Sequence, residues 1–201
     1  PSLIPNITTG RIANRLDLMG ANFTIDAACA SSLIATELGM HDLLSRKCDL
    51  ALAGGIFILP DVPFSIIFCQ LKALSRQSQI RPFDKNADGT LIGEGVGILV
   101  LKRLEDAEQD GDRIYAVIKG VGTSSDGRAF SVTAPRVEGA ELALQRAYEM
   151  SGISPQTVGL IEAHGTGTPA GDAAEIEALT RVFGRCESSP RCALGTIKSM
   201  I

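Results

Sequence analysis

The chain has few of the residues that build metal centres and disulfide frameworks. Its 201 residues contain no tryptophan, only two histidines (His41 and His164) and five cysteines. The cysteine number is odd, and no Cys-x-x-Cys pair occurs, so the sequence carries no zinc pattern. We therefore expect no metal site. We also expect reduced thiols, although Cys186 and Cys192 could form a disulfide.

The chain also lacks a positive charge excess and a long apolar segment. Its formal net charge is −4 and its pI is about 5.2, which argues against a nucleic acid or an anionic lipid as partner. The longest apolar run, 50–59, is too short to span a bilayer, and residues 1–10 lack the pattern of a signal peptide. We expect a cytoplasmic protein with no membrane contact.

The sequence does contain a regular alternation of strand-like and helix-like segments. Hydrophobic residues make up 45% of the chain, and 21 glycines supply tight turns. Hydrophobic periodicity predicts strands over 23–27, 50–53, 97–102, 116–122, 158–163 and 192–197. It predicts helices over 31–46, 64–74, 104–110, 137–151 and 172–183, with loops over 75–90 and 124–135. This alternation indicates an α/β fold with a layered sheet.

A cysteine lies where the first predicted strand passes into a helix. The run Asp26-Ala27-Ala28-Cys29-Ala30-Ser31-Ser32 places the thiol on the first turn of that helix, among small neighbours. The positive helix end and its free N–H groups favour the thiolate, which is the nucleophilic form. Taken alone, the pattern also allows a buried cysteine with no chemical role.

A histidine occupies the equivalent position in the second half of the chain. The run Glu162-Ala163-His164-Gly165-Thr166-Gly167-Thr168 follows an apolar strand, and α/β folds build sites at such strand ends. Its glycines allow close approach of a ligand, and its threonines offer hydroxyls. The loop lacks the Gly-Lys-Ser/Thr ending of a phosphate loop, and a histidine satisfied within a turn stays possible. Cysteine and histidine together suit covalent attack on a carbonyl group, which a cysteine protease also uses.

Five motifs in order carry a resemblance to a known family. They are the runs at 26–32 and 162–168, Arg81-Pro82-Phe83-Asp84, the segment 87–95 with Ala87-Asp88-Gly89 and Gly93-Glu94-Gly95, and the run 195–200 around Lys198. Together they resemble the β-ketoacyl synthases, in particular ketosynthase domains of type I polyketide or polyunsaturated fatty acid synthases. The resemblance implies a thiolase-like layered αβαβα fold, of which this chain is the middle portion. Residues 1–111 would end the N-terminal half and carry the nucleophile, and residues 112–201 would begin the C-terminal half.

The resemblance also implies a reaction, a decarboxylative Claisen condensation. Cys29 would take the acyl group, and His164 would promote loss of CO2 from a malonyl-type extender. Lys198 would support the histidine electrostatically, while Thr166 and Thr168 would hold the pantetheine arm. The backbone N–H of Cys29 would be one oxyanion donor.

The partners that the resemblance implies are an acyl carrier protein with its phosphopantetheine arm, and the acyl and malonyl-type thioesters that it carries. No tightly bound cofactor is expected. The parent protein would be a homodimer, in which residues 23–27 pair with their copy. The family's second catalytic histidine follows the lysine motif, beyond Ile201, so we expect this chain alone to be inactive.

Several alternatives stay open at this point. A ketosynthase-like domain could bind and transfer acyl chains without condensing them. A non-catalytic chain-length factor, a degradative thiolase and a cysteine protease fit the residues less well. We expect Asp84, Asp88 and Glu94 to have structural roles, and Asp172 and Glu175 to cap and charge the first turn of the last helix.

Overall fold

The computed structural model describes residues 4–58, 62–131, 133–184 and 192–200. Its helices are α1 (Asn6–Leu16), α2 (Ser31–Leu44), α3 (Val62–Gln70), α4 (Leu104–Asp110), α5 (Val137–Ser151) and α6 (Pro169–Phe183). Its strands are β1 (Ala51–Phe57), β2 (Gly95–Leu101), β3 (Leu160–Glu162) and β4 (Ala193–Gly195), and short 3-10 helices cover Ala28–Ala30, Pro155–Thr157 and Ile197–Ser199. The chain divides into two compact units, Pro1–Ile56 with Val96–Val117 and Phe57–Gly95 with Ile118–Ile201.

In the first unit, small residues let α2 lie close to the paired strands β1 and β2. A Cβ added to Gly39, in the middle of α2, would lie 3.3 Å from a Leu101 methyl and 3.5 Å from the Cβ atoms of Ala51 and Ala53. Ala53 and Leu43 are buried at this contact. A larger side chain at position 39 would therefore push the helix off the sheet.

A buried arginine fixes the carboxyl-terminal end of α2. The Arg103 side chain is only 8% exposed, and its Nη1 donates to the carbonyl oxygens of Leu43 (2.9 Å) and Cys48 (2.7 Å). Its Nη2 and Nε bind the carboxylates of Asp49 (2.6 Å) and Asp106 (2.5 Å). One guanidinium thus binds a carbonyl group of the last turn of α2 and one of the loop that follows it.

In the second unit, β3 and β4 run parallel, with Leu160 opposite Ala193 and Glu162 opposite Gly195. The Ala163 N–H continues the ladder by donating to the Gly195 carbonyl (2.8 Å). Helices α5 and α6 pack against each other, and Ala178 and Leu179 of α6 are buried. The parallel pairing brings the segments that follow β3 and β4 to the same edge.

Several helix predictions are confirmed. The bounds of α4 and α5 agree with the predicted ranges, and both helices end at a glycine in the left-handed region, Gly111 (φ +70°) and Gly152 (φ +65°). These are the usual glycine C-caps. Helix α2 ends two residues early, α3 is displaced to Val62–Gln70, and α6 begins at Pro169 rather than at Asp172.

One strand prediction is wrong: residues 116–122 form no strand, because a strand is defined by a ladder of hydrogen bonds and no described segment pairs with them. Residues 23–27 also pair with no described segment of this chain, and their pairing with a second copy stays a prediction. The other four strands exist with altered ends. On β2, Val96 and Val100 are 68% and 67% exposed and their neighbours Ile98 and Leu99 are exposed as well, so apolar side chains on both faces meet solvent. The suggested disulfide involves Cys186, which lies outside the described residues.

Candidate functional site

Cys29 lies on a strained turn in the first unit. It is exposed, within the 3-10 helix that leads into α2, and the preceding Ala28 has φ +50°. Hydrogen bonds hold the turn: the Ala28 N–H donates to Asp26 Oδ1 (2.9 Å), and the Ala27 N–H donates to Ser31 Oγ (2.9 Å). The Ser31 hydroxyl in turn donates to the Ala28 carbonyl (2.7 Å). The left-handed alanine costs about 1–2 kcal/mol, which these bonds offset.

The neighbours of Cys29 leave its thiol open to a substrate. Alanines flank it on both sides, and the residue keeps an exposed surface. The backbone N–H groups that donate across the turn are those of Ala27, Ala28 and Ala30. The predicted nucleophile is therefore placed on an accessible turn that leads into α2.

His164 lies in the second unit, directly after β3, on a loop that a carboxylate of α6 anchors. Glu175 accepts two consecutive backbone N–H groups, that of His164 at Oε1 (2.7 Å) and that of Gly165 at Oε2 (2.9 Å). Gly165 has φ +46°, and a Cβ there would come within 2.8 Å of the Thr196 methyl group. The loop therefore needs glycine at 165, and its backbone rests against the segment that follows β4.

A second carboxylate, one helical turn earlier, anchors the rest of the loop. Asp172 is only 6% exposed, and its Oδ1 accepts the Gly167 N–H (3.1 Å). Its Oδ2 accepts the N–H of Phe83 (2.7 Å), a residue in the left-handed region at φ +60°. The Gly167 carbonyl accepts the Gly89 N–H (2.9 Å). The N–H of Gly167 is thus held by the nearby α6, and its carbonyl by Gly89, which is distant in the sequence.

The two threonines of the loop form a hydroxyl pair. Thr166 Oγ1 and Thr168 Oγ1 lie 2.9 Å apart, and both residues are half-buried. Each hydroxyl can donate one hydrogen bond and accept two, so the pair keeps capacity for a ligand after bonding to itself. Amide groups of an extended ligand are suitable partners.

Lys198 belongs to the segment after β4 and acts on His164 electrostatically. It lies in the 3-10 turn Ile197–Ser199, which Glu162 fixes by accepting the Ile197 N–H (2.7 Å). The pKa of His164 lies below its ordinary value, first because the surrounding protein removes part of its hydration and second because of the Lys198 charge. Glu175 and Asp172 raise that pKa in part. The imidazole is therefore neutral near pH 7, with one nitrogen as donor and the other as acceptor.

Asp172 does place a carboxylate in the first turn of α6, as predicted, but the predicted capping by Asp172 and Glu175 is wrong. Helix α6 begins at Pro169 with Thr168 as its N-cap residue, and no side-chain hydrogen bond caps it. Both carboxylates bind backbone N–H groups of the histidine loop instead. The proline, a favoured first residue of helices, was the signal that could have placed the helix start correctly.

The loop acids do have structural contacts, as expected for Asp84 and Asp88. Asp84 Oδ1 accepts the Asn86 N–H (2.7 Å) within one turn. Asp88 accepts the Ser75 hydroxyl (2.6 Å) and the Arg76 N–H (3.2 Å), and the Ser75 bond is the main reason that the pKa of Asp88 is lowered.

The structure thus gathers His164, Lys198 and the two threonines in the second unit and places Cys29 in the first. Among the described residues, no group of three His, Cys, Asp or Glu side chains is arranged to bind a metal ion. No helix in the described part of the chain has the length and hydropathy that a bilayer span requires.

Two family models match the chain. The model described as the N-terminal domain of beta-ketoacyl synthase matches residues 1–107, and the model described as the C-terminal domain matches residues 115–201.

Curated relatives are large synthases. The chain is 42% identical over 204 residues to a polyunsaturated fatty acid synthase subunit from Thraustochytrium sp., covering 100% of this chain and 7% of that protein. It is 42% identical over 206 residues to polyketide synthase PksN of Bacillus subtilis, covering 98% of this chain and 4% of that protein. The chain spans only a small fraction of either relative.

Solved structures match the fold closely. The ketosynthase from module 6 of the bacillaene synthase of Bacillus subtilis 168 superposes with a TM-score of 0.92 at 40% identity, over 96% of this chain and 35% of that chain. The oxazolomycin ketosynthase domain of Streptomyces albus gives a TM-score of 0.90 at 32% identity, over 95% and 33%.

Proposed function

Because the chain belongs to the β-ketoacyl synthase family and has part of the thiolase-like fold of ketosynthase domains, we propose that it carries Cys29 and His164 of a decarboxylative condensing enzyme. The enzyme is an acyltransferase of polyketide or polyunsaturated fatty acid synthesis. The observation that carries this proposal is the placement of His164 on a loop that Glu175 anchors through its backbone, with the threonine pair on the same loop.

The first half of the reaction uses Cys29. Its sulfur attacks the carbonyl carbon of an acyl thioester, and the new C–S bond replaces the bond to the carrier's thiol, which leaves with the proton from Cys29. The Cys29 N–H, which is not among the donors that hold the turn, donates to the oxyanion. The exposed thiol and its alanine neighbours suit this attack.

The second half uses His164. The bond between the α-carbon and the carboxylate of a malonyl-type thioester breaks, CO2 leaves, and the electron pair forms an enolate. Neutral His164 donates a hydrogen bond to the enolate oxygen, and Lys198 adds positive charge near it. The carbanion attacks the Cys29 thioester, and the Cys29 thiolate leaves as the new C–C bond forms.

The partners follow from this chemistry. We assign acyl carrier protein as the donor of both thioesters, with Thr166 and Thr168 binding the amides of its phosphopantetheine arm. The parent enzyme is a cytoplasmic homodimer in this proposal, with residues 1–111 belonging to its N-terminal thiolase-like half and residues 112–201 to its C-terminal half. The relatives named above, which are synthases, support this assignment.

The test is acylation of the full-length polypeptide that carries this chain. It is incubated with an acyl-pantetheine thioester, and the added mass is located by peptide mapping. Cys29→Ala should abolish the adduct, whereas Cys69→Ala, which removes another exposed thiol, should not. An adduct on Cys29 that never condenses with malonyl-pantetheine would favour the acyl-transfer alternative. No adduct in the folded protein would refute Cys29 as nucleophile.

A further inference from the structure

We propose that Asp172 is a positioning residue for binding of the pantetheine arm, through the loop that carries Thr166 and Thr168. It joins this loop to residues 81–90, called here the buttress segment. The inference rests on the proposed function, because it concerns the ligand of the same site. It assigns to Asp172 and the buttress segment a role in substrate affinity.

Asp172 binds backbone N–H groups of two separate segments. Its carboxylate is buried, and each oxygen accepts one backbone N–H, from Gly167 (3.1 Å) and from Phe83 (2.7 Å). These two donors are distant in the sequence, and neither belongs to the first turn of α6. Loss of either acceptor would leave a buried N–H without a partner.

The buttress segment holds Gly167 from the opposite side. Its Gly89 donates to the Gly167 carbonyl (2.9 Å), and a Cβ on Gly167 would lie 2.9 Å from the Gly89 carbonyl oxygen. Gly167 is therefore clamped at both its N–H and its C=O. Since Thr166 and Thr168 flank this residue, the clamp sets the spacing of their hydroxyl groups, which lie 2.9 Å apart.

The two carboxylates of α6 act on different parts of the loop. Glu175 binds the N–H groups of His164 and Gly165, whereas Asp172 binds that of Gly167. A change at Asp172 therefore reaches the threonine pair first. It should alter ligand affinity rather than the position of the imidazole.

The test is Asp172→Asn in the full-length polypeptide. The asparagine keeps one acceptor oxygen, but its NH2 group faces one of the two backbone N–H groups. The hydrogen bond to either Gly167 or Phe83 is therefore lost. The concentration of acyl-pantetheine that half-saturates acylation of Cys29 should rise roughly tenfold. The maximal rate should change by less than about threefold, since the turn that carries Cys29 is held by its own hydrogen bonds and not by Asp172.

Two comparisons separate positioning from a general structural defect. With an acyl thioester of ethanethiol, which has no amides for the threonines to bind, Asp172→Asn should leave the acylation rate unchanged. In a Thr166→Val/Thr168→Val background, Asp172→Asn should add no further loss. Asp112→Asn, which makes the same change at an exposed carboxylate that pairs with Lys102, is the matched control.

Each outcome decides the inference. A tenfold shift confined to acyl-pantetheine supports it, whereas equal losses with both thioesters, or no shift, overturn it. Failure of the unmodified protein to acylate Cys29 with either thioester refutes the proposed function instead. If Asp172→Asn does not fold, amide hydrogen exchange of the unmodified protein tests the inference instead. Pantetheine binding should slow exchange in residues 81–90 together with 164–168. Slower exchange in 164–168 alone overturns the inference.

Discussion

Glu175 is the side chain on which the placement of His164 depends most directly. It is half-buried and accepts the backbone N–H groups of His164 (2.7 Å) and Gly165 (2.9 Å). Glu175→Gln keeps the size of the side chain but replaces one acceptor oxygen by a donor. One of the two N–H groups then faces another donor.

The size of the expected rate decrease follows from the loss of one hydrogen bond to the Glu175 carboxylate. A hydrogen bond to a charged group contributes about 1.5–3 kcal/mol. If the loss of one bond appears wholly in the transition state, the rate falls by roughly 10-fold to 150-fold. Glu175 also raises the pKa of His164, so its removal lowers that pKa further and leaves the imidazole neutral at pH 7. The predicted loss therefore comes from misplacement of His164 and not from its protonation state.

The assay is release of CO2 from malonyl-pantetheine by the full-length polypeptide, measured from pH 6 to pH 9. For Glu175→Gln we expect a lower plateau rate of CO2 release, and no shift of the acid limb of the pH profile to higher pH. Glu177→Gln is the control, because Glu177 lies two residues along on the same helix and pairs only with Arg181 at the surface. Equal rates for the two folded variants would refute the reasoning, and so would an acid limb displaced upward by Glu175→Gln.

Two further predictions concern the surroundings of His164. Lys198 lowers the pKa of His164, so Lys198→Met should raise that pKa and keep the imidazole protonated up to a higher pH. The acid limb of the pH profile of CO2 release should therefore move to higher pH. An acid limb that does not move would contradict the electrostatic role of Lys198. Gly165→Ala should lower the free energy of unfolding by roughly 2–4 kcal/mol, because it combines a left-handed φ with a Cβ that meets Thr196. Gly152→Ala, with a similar φ but open space around it, should cost only about 1–2 kcal/mol in the same denaturant titration.

The sequence predicted the helices best because their signals are local. Apolar periodicity and a terminal glycine were sufficient to set the bounds of α4 and α5. Strand signals are weaker, since a strand exists only when another segment pairs with it. The apolar runs 23–27 and 116–122 looked equivalent to the run before His164. Only the last found a partner, in β4.

Cys29 and His164 could be proposed as reactive groups from the sequence because their signals are also local. Cys29 follows a strand-like run and His164 follows an apolar run, and both stand among small residues. The anchors of the loop were not predictable, because Asp172 reaches Phe83 and Glu162 reaches Ile197 across long stretches of chain. Such contacts depend on how the segments pack, which hydrophobic periodicity does not encode.

The contacts that shape the histidine loop involve its backbone and not its side chains. Asp172, Glu175 and Gly89 all bind peptide groups of residues 164–167, while the hydroxyls of Thr166 and Thr168 bind each other. Loop shape and loop chemistry are therefore specified by different residues. For protein engineering, the side chains at positions 166 and 168 can therefore be replaced without removing any of the contacts that hold the loop backbone. Libraries at these two positions can be screened for altered carrier preference.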